Sequence, residues 1–196
     1  MYRVLIADNV SEEGIGILQE APEFEVTVAK DISAAELLVE IPKYHALIVR
    51  SRTQVTAEVI QAADQLKVIG RAGVGVDNID LDAATSKGVV VLNAPEGNTI
   101  STAEHTVAMM LSLARQIPQA NQSLREGRWD RKKFVGVELS NKVLGVIGFG
   151  RVGSTVARIA QGLNMSILAY DPYITAERAR EMGVKAATIE EIITQA

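Results

Sequence analysis

From its first residues to its last, the chain repeats one pattern: a short apolar run, a turn, then a stretch with helical hydrophobic spacing. That alternation is the signature of βαβ units and a parallel sheet. The predicted strands are Val4–Ala7, Glu25–Val28, Ala46–Val49, Lys67–Ile69, Val89–Leu92, Val143–Ile147 and Ile167–Tyr170. Aromatic residues make up only 4% of the 196 residues while Ala, Val, Ile and Gly abound, which suits a sheet packed between helices by small branched side chains. With 47% hydrophobic and 22% charged residues, the chain is ordinary for a globular protein, and disorder is excluded.

Strand spacing stays near that of a small βα unit until Leu92, after which about fifty residues pass before the next strand. The gap marks a domain boundary, giving an expected first domain over 1–98 and a second over 99–196. Within the gap, Ser101-Thr102-Ala103-Glu104 reads as a capping box that opens a long helix, continued by the apolar stripe Val107, Met110, Leu111 and Ala114. Pro118 either ends that helix or starts the next segment. From Ala120 to Gly136 the chain turns polar and basic and reads as a connecting arm, whose Trp129 and Phe134 flank several cations. Two readings stay open for it: an anchor at a subunit interface, or a solvated linker with one tucked aromatic.

A formal net charge of −4 argues against a general nucleic-acid binder, so an anionic partner must be met locally. The absence of cysteine excludes a disulfide framework, a thiolate nucleophile and a Cys-ligated metal, and no metal site is expected. The start, Met1-Tyr2-Arg3-Val4, is too soon broken by charge for a signal peptide. No apolar run approaches the eighteen or so residues of a membrane helix. The expectation is a cytoplasmic protein with no membrane partner.

The most informative local motif is Gly148-Phe149-Gly150-Arg151-Val152-Gly153, which follows directly on a predicted strand and runs into a predicted helix. In that context the first glycine permits a tight turn, the second lets the backbone approach a pyrophosphate, and the third allows close packing of helix on strand. The helix N-terminus then offers free N–H groups and partial positive charge to the anion. Asp171 ends the next predicted strand eighteen residues beyond Gly153, near the offset at which an acid accepts from the adenosine ribose hydroxyls. No arginine follows it to welcome a 2′-phosphate, so NAD is favoured over NADP. The competing readings are a plain strand-to-helix turn for the glycines and a turn-forming Asp before Pro172.

Two further segments lie at the carboxyl ends of predicted strands, where open α/β sheets bind ligands. They are Arg50-Ser51-Arg52-Thr53 and Arg71-Ala72-Gly73-Val74-Gly75-Val76-Asp77-Asn78. Together with Asn93-Ala94-Pro95-Glu96-Gly97-Asn98, Ala103-Glu104-His105-Thr106 and the glycine loop, they occur in an order that resembles the NAD-dependent D-2-hydroxyacid dehydrogenases. The resemblance implies a flavodoxin-like parallel-sheet substrate domain, followed by the first half of a Rossmann dinucleotide-binding domain.

It further implies that Arg50, Ser51, Gly73 and Val74 face the substrate carboxylate or the nicotinamide, and that Gly148, Gly150, Arg151, Val152, Gly153 and Asp171 hold NAD. Family members pair through their nucleotide domains, so a homo-oligomer is implied, with Arg131 reaching a partner subunit's site. The implied substrate is an anionic D-2-hydroxy acid. The resemblance points to 3-phosphoglycerate, and three or four arginines converging on one cleft would suit a substrate carrying both carboxylate and phosphate; glycerate and lactate remain alternatives.

In the resembled family the His, Glu and Arg of hydride transfer lie in later segments, so no catalytic residue is assigned here. His105, one turn into a helix, is expected to pack or hydrogen-bond between domains, and His45 to lie at the surface. The dinucleotide sheet reads as half built, with an exposed edge, and the chain is expected to belong to a longer enzyme and to lack turnover alone. The alternative from another class is a non-catalytic NAD-binding module similar to dehydrogenase-like corepressors.

Overall fold

A computed structural model describes residues 1–196. The chain forms two compact units, Met1–Asn98 and Thr99–Ala196.

The first unit runs β1 (Tyr2–Ile6), α1 (Glu12–Glu20), β2 (Phe24–Val28), α2 (Ala34–Glu40), β3 (Ala46–Val49), α3 (Ala57–Ala62), β4 (Val68–Arg71), α4 (Leu81–Lys87) and β5 (Val90–Asn93). All strand pairs are parallel and the order is β2-β1-β3-β4-β5, the flavodoxin-like arrangement that the family resemblance implies. The side-chain period of two divides the central strands between two layers. Leu5, Leu47, Val49 and Ile69 point into a core with Leu37 and Ile60 from α2 and α3, whereas Val4 and Ile6 face Ile15 of α1. Edge strands behave as edges: Val90 and Leu92 of β5 are more than half exposed.

Helix starts in this unit follow the chemistry of their first residues. Ser11, Ser33, Thr56 and Asp80 each accept an amide of the first turn, and Ser33 with Glu36 forms a full capping box. Gly88, at φ 73°, ends α4 in the left-handed conformation that favours glycine.

The second unit runs α5 (Thr99–Ala114), α6 (Ile117–Arg125), β6 (Val143–Ile147), α7 (Arg151–Gly162), β7 (Ser166–Tyr170), α8 (Ala176–Glu181), β8 (Lys185–Ala186) and α9 (Ile189–Gln195). Its strands are parallel in the order β6-β7-β8. Ala103 and Val107 of α5 pack with Val156 of α7, flanked by Met110 and Leu111. A second cluster places Ala157 and Ala160 of α7 on Ile167 and Ala169 of β7. A Cβ at Gly145 would fall on the Ile192 side chain, so α9 lies directly against β6.

Two expectations fail in this unit. The long helix opens at Thr99, so Ser101 sits inside its first turn and does not cap it. Asn98, a residue type that starts helices as readily as Ser, precedes Thr99. Nor is 120–136 wholly an arm, because Ala120–Arg125 belongs to α6. Pro118 in the first turn supplies a helical φ, and Gln116 at φ 50° separates α6 from α5. Only the stretch from Glu126 onward is irregular, apart from a 3₁₀ turn at Arg131–Lys133.

The second unit also contains β8, which sequence periodicity missed because two residues carry no period. No helix is long and apolar enough to cross a membrane.

Candidate functional site

In the second unit the glycine loop joins β6 to α7, and its three glycines meet three different demands. Gly148 has φ 90°, a conformation L side chains rarely adopt, and its amide donates to the Tyr170 carbonyl at 2.8 Å. Gly153 is required by proximity: a Cβ there would fall on the Gly148 carbonyl oxygen. Gly150 meets neither constraint, since a Cβ would find no atom within 4 Å. Gly150 is also the N-cap of α7 and provides no side chain to cap the helix, so its first-turn amides have no cap side chain to donate to. Arg151 is exposed at the helix start, whereas Val152 packs its side chain into the cluster between α5 and α7, leaving its amide as its polar group.

Asp171, half-buried at the end of β7, accepts the Phe149 amide through Oδ2 at 2.8 Å and the Tyr173 amide through Oδ1 at 2.9 Å. The turn-forming role is therefore real. It leaves a second lone pair on each oxygen, so a ribose hydroxyl could still be accepted.

In the first unit the carboxyl ends of β3, β4 and β5 enclose a cleft of about 450 Å³, lined by Arg50, Ser51, Arg71, Gly73, Val74 and Asn98 among others. Arg71 lies low in it, its side chain 12% exposed, with Nε donating to Asn78 Oδ1 at 3.3 Å. A Cβ at Gly73 would fall on the Arg71 guanidinium, so this glycine leaves the room the cation occupies. The turn itself is fixed by backbone: the Ala72 amide donates to Val49 O, and the Ala94 amide to Gly73 O, at 2.8 and 2.9 Å. Asn93 adds a donation to Val74 O at 2.7 Å.

Arg50 is exposed, its Nη1 within 3.2 Å of Asn9 O, and its peptide is clamped from below. Buried Asp8, at the end of β1, accepts the Arg50 amide at 2.6 Å, the Thr53 hydroxyl at 2.8 Å and the Thr53 amide at 3.2 Å, and it pairs with Arg52 Nε at 3.1 Å. Burial alone would raise the Asp8 carboxyl. The Arg50 amide, the Thr53 hydroxyl and amide, and the Arg52 charge outweigh it and hold the group below the usual carboxylate value.

The structure thus brings together Arg50, Ser51, Gly73 and Val74 in one unit, and Gly148, Gly150, Arg151, Val152, Gly153 and Asp171 in the other. Arg131 lies elsewhere, beside a hollow of about 270 Å³ lined by Leu124, Arg128, Trp129 and Phe134. The expected convergence of three or four arginines reduces in the first unit to two. Arg52 turns away from the cleft to Asp8 and to the carbonyls of Ala7 and Lys30, because a buried carboxylate with acceptors around it is the stronger partner.

Sequence reasoning did not single out Asp8 and Asn78. The available signal was a polar residue ending a fully apolar strand, and an Asn inside the quoted Gly-rich segment. Of the histidines, His45 is half-buried, its Nδ1 accepts the Arg3 amide at 3.0 Å, and its ring meets Tyr2 edge-on. His105 is exposed on α5.

Residues 4–194 match the model of the D-isomer specific 2-hydroxyacid dehydrogenase catalytic domain. The chain is 56% identical over 191 residues to D-3-phosphoglycerate dehydrogenase of Archaeoglobus fulgidus, covering 97% of this chain and 36% of that protein. The Bacillus subtilis D-3-phosphoglycerate dehydrogenase is 48% identical over 196 residues, covering 100% and 37%. The chain therefore spans a little over a third of the length of these relatives. Among solved structures it is similar to a D-lactate dehydrogenase from Aquifex aeolicus complexed with NAD and lactic acid, with a TM-score of 0.84 and 28% identity over 98% of this chain and 58% of that one. Sequence and architecture agree over both units: the chain belongs to the D-isomer specific 2-hydroxyacid dehydrogenases.

Proposed function

We propose that this chain contributes the substrate cleft and the pyrophosphate loop of an NAD-dependent dehydrogenase that oxidises 3-phosphoglycerate at its 2-hydroxyl to 3-phosphohydroxypyruvate. The observation that carries the reading is the pairing of Arg50 and Arg71 over the Gly73–Val74 turn at the ends of adjacent parallel strands. Two cations at one small cleft suit an acid with a carboxylate at one end and a phosphate at the other. The names of the Archaeoglobus and Bacillus relatives support that substrate over glycerate or lactate.

The residues of the glycine loop fit a dinucleotide. The open space at Gly150 admits a pyrophosphate against the main chain, and the amides of Arg151, Val152 and Gly153 at the uncapped start of α7 are the donors for it. Asp171, already fixed by two amides, would accept from the ribose, and its charge supports NAD over the 2′-phosphorylated form. When bound, the nicotinamide supplies the acceptor for the hydride leaving C2. The part played by this chain is positional: Arg50 and Arg71 hold the anionic ends of the acid, and the Gly73–Val74 turn presents backbone close to it. Proton transfer is not assigned here, because His45 is spent on the Arg3 amide at the opposite end of β3 from the cleft.

Pairing with a second copy through the second unit is part of the proposal. Trp129, which lines the same hollow as Arg131, is about three-quarters exposed, an aromatic of the kind that anchors an interface. The test is the full-length protein with NAD and 3-phosphoglycerate, NADH formation being followed at 340 nm. Turnover supports the reading. NAD binding without turnover on 3-phosphoglycerate, glycerate or lactate gives the place to a non-catalytic binding module.

A further inference from the structure

The two arginines of the cleft stand on different loops, and the buried side chain of Asn78 joins those loops. It is 4% exposed, and its carboxamide is fully engaged. Nδ2 donates to Arg50 O at 2.7 Å and to Thr53 O at 2.6 Å, while Oδ1 accepts Arg71 Nε at 3.3 Å. Its backbone is tied to the same loop: the Val55 amide donates to Asn78 O at 2.8 Å, and Val55 and Ile79 form an isolated parallel bridge. Both peptide groups of Arg50 are consequently gripped by buried side chains, the amide by Asp8 and the carbonyl by Asn78. The two carbonyl bonds use its Nδ2 donors. The third, in which Arg71 Nε donates, satisfies the buried Oδ1 and in doing so ties the neighbouring cleft cation to the same carboxamide. It orients Arg71 against its one acidic neighbour, the exposed Asp77, whose Oδ1 lies 4.0 Å from Nη2.

We infer that Asn78 is a positioning residue of the anion cleft: its buried carboxamide sets the Arg50 peptide and the Arg71 guanidinium in one frame, so that both cations meet the acid without rearrangement. The inference rests on the proposed role of the cleft in binding 3-phosphoglycerate. Preorganised donors cost no ordering when the ligand arrives, so the expected signature is in affinity for the acid.

The test uses the full-length enzyme and steady-state kinetics with 3-phosphoglycerate and NAD. Asn78→Asp keeps the shape but turns an oxygen toward the carbonyls of Arg50 and Thr53; Asn78→Ser is a second, smaller variant in case the first does not fold. The KM for 3-phosphoglycerate rises about tenfold, the equivalent of one lost hydrogen bond, while the KM for NAD stays within about twofold. In an Arg71→Ala background the same change has less effect on that KM, since the two act together.

Lys87→Met, which removes donations to Ile60 O and Gln61 O between α4 and α3, serves as the control for lost stability. It lowers the melting temperature without moving either KM. If the Asn78 variants do only what Lys87→Met does, or do not fold while Asp8→Asn, which loosens the other grip on Arg50, leaves the acid KM unchanged, the inference is overturned and the proposed function stands. A wild-type enzyme with neither turnover nor calorimetric binding of 3-phosphoglycerate overturns both.

Discussion

The glycine loop of the second unit and the arginine cleft of the first are both built to receive anions, and they are made in opposite ways. The loop works with main chain. Its geometry is local, spanning Gly148 to Gly153, with one glycine there for a left-handed conformation, one for open approach to the main chain and one for close packing. The cleft works with side chains on two loops, and those loops are held by residues far away in sequence, Asp8 lying 42 positions from Arg50 and Asn78 28 positions. A backbone site stands or falls with the conformation of one segment. A side-chain site can lose its ligand chemistry while the fold persists, or lose its support while the ligand groups remain.

The largest effect expected from this contrast comes from Arg50→Ala combined with Arg71→Ala. At about 2 kcal/mol for each charge-assisted contact, the KM for 3-phosphoglycerate in the full-length enzyme rises about a thousandfold. Calorimetric affinity for NAD is unchanged, and a parallel loss of both would dissolve the distinction between the two sites.

Next comes Asp8→Ala, which strips the support and leaves the cations. Removing one partner from this buried set costs about 3 kcal/mol, read from urea unfolding of the chain. Because the folded Asp8 carboxyl lies below its unfolded value, its contribution is fully present above the unfolded carboxylate pKa of about 4 and drains away as pH falls through the lower folded value. Unfolding of wild type and Asp8→Asn at pH 3 and pH 7 checks the sign: the wild-type advantage is larger at pH 7.

Within the loop, Gly153→Ala forces a methyl onto the Gly148 carbonyl and destabilises the second unit by about 2 kcal/mol in thermal unfolding. Gly150→Ala meets open space, so it leaves the melting temperature unchanged and instead weakens NAD about tenfold by filling the approach to the main chain. If both glycine variants damage stability alike, the division of labour among the three glycines is wrong. The smallest effect belongs to Asp171→Ala, for which NAD affinity falls severalfold, about 1 kcal/mol, and discrimination against NADP narrows in the same titration.

Much of this was legible in the sequence because the rules involved are local. The βαβ alternation rests on periodicity and the family resemblance on motif order, the flavodoxin-like order came with that resemblance, and the strands from Tyr2 to Tyr170 lie where apolar runs place them. The glycine loop was readable for the same reason.

What escaped was non-local or ambiguous. Ser101 and Glu104 have the spacing of a capping box, yet the helix begins at Thr99, because several consecutive polar residues can each serve as a start. Arg52 reads as a ligand group beside Arg50, and only the fold discloses that Asp8 claims it. Asn78 sits in plain view within a quoted motif, but the bonds that give it meaning reach loops that sequence order keeps apart.

The double grip on the Arg50 peptide bears on how such a cleft can diversify. Its amide and carbonyl are secured by Asp8 and Asn78, while its side chain leans only on Asn9 O, so the backbone at position 50 does not depend on which residue stands there. The fold thus offers a socket whose occupant can be exchanged at little structural risk. Selection, or an engineer, can explore acids of different charge at that one position while the rest of the scaffold stays as it is.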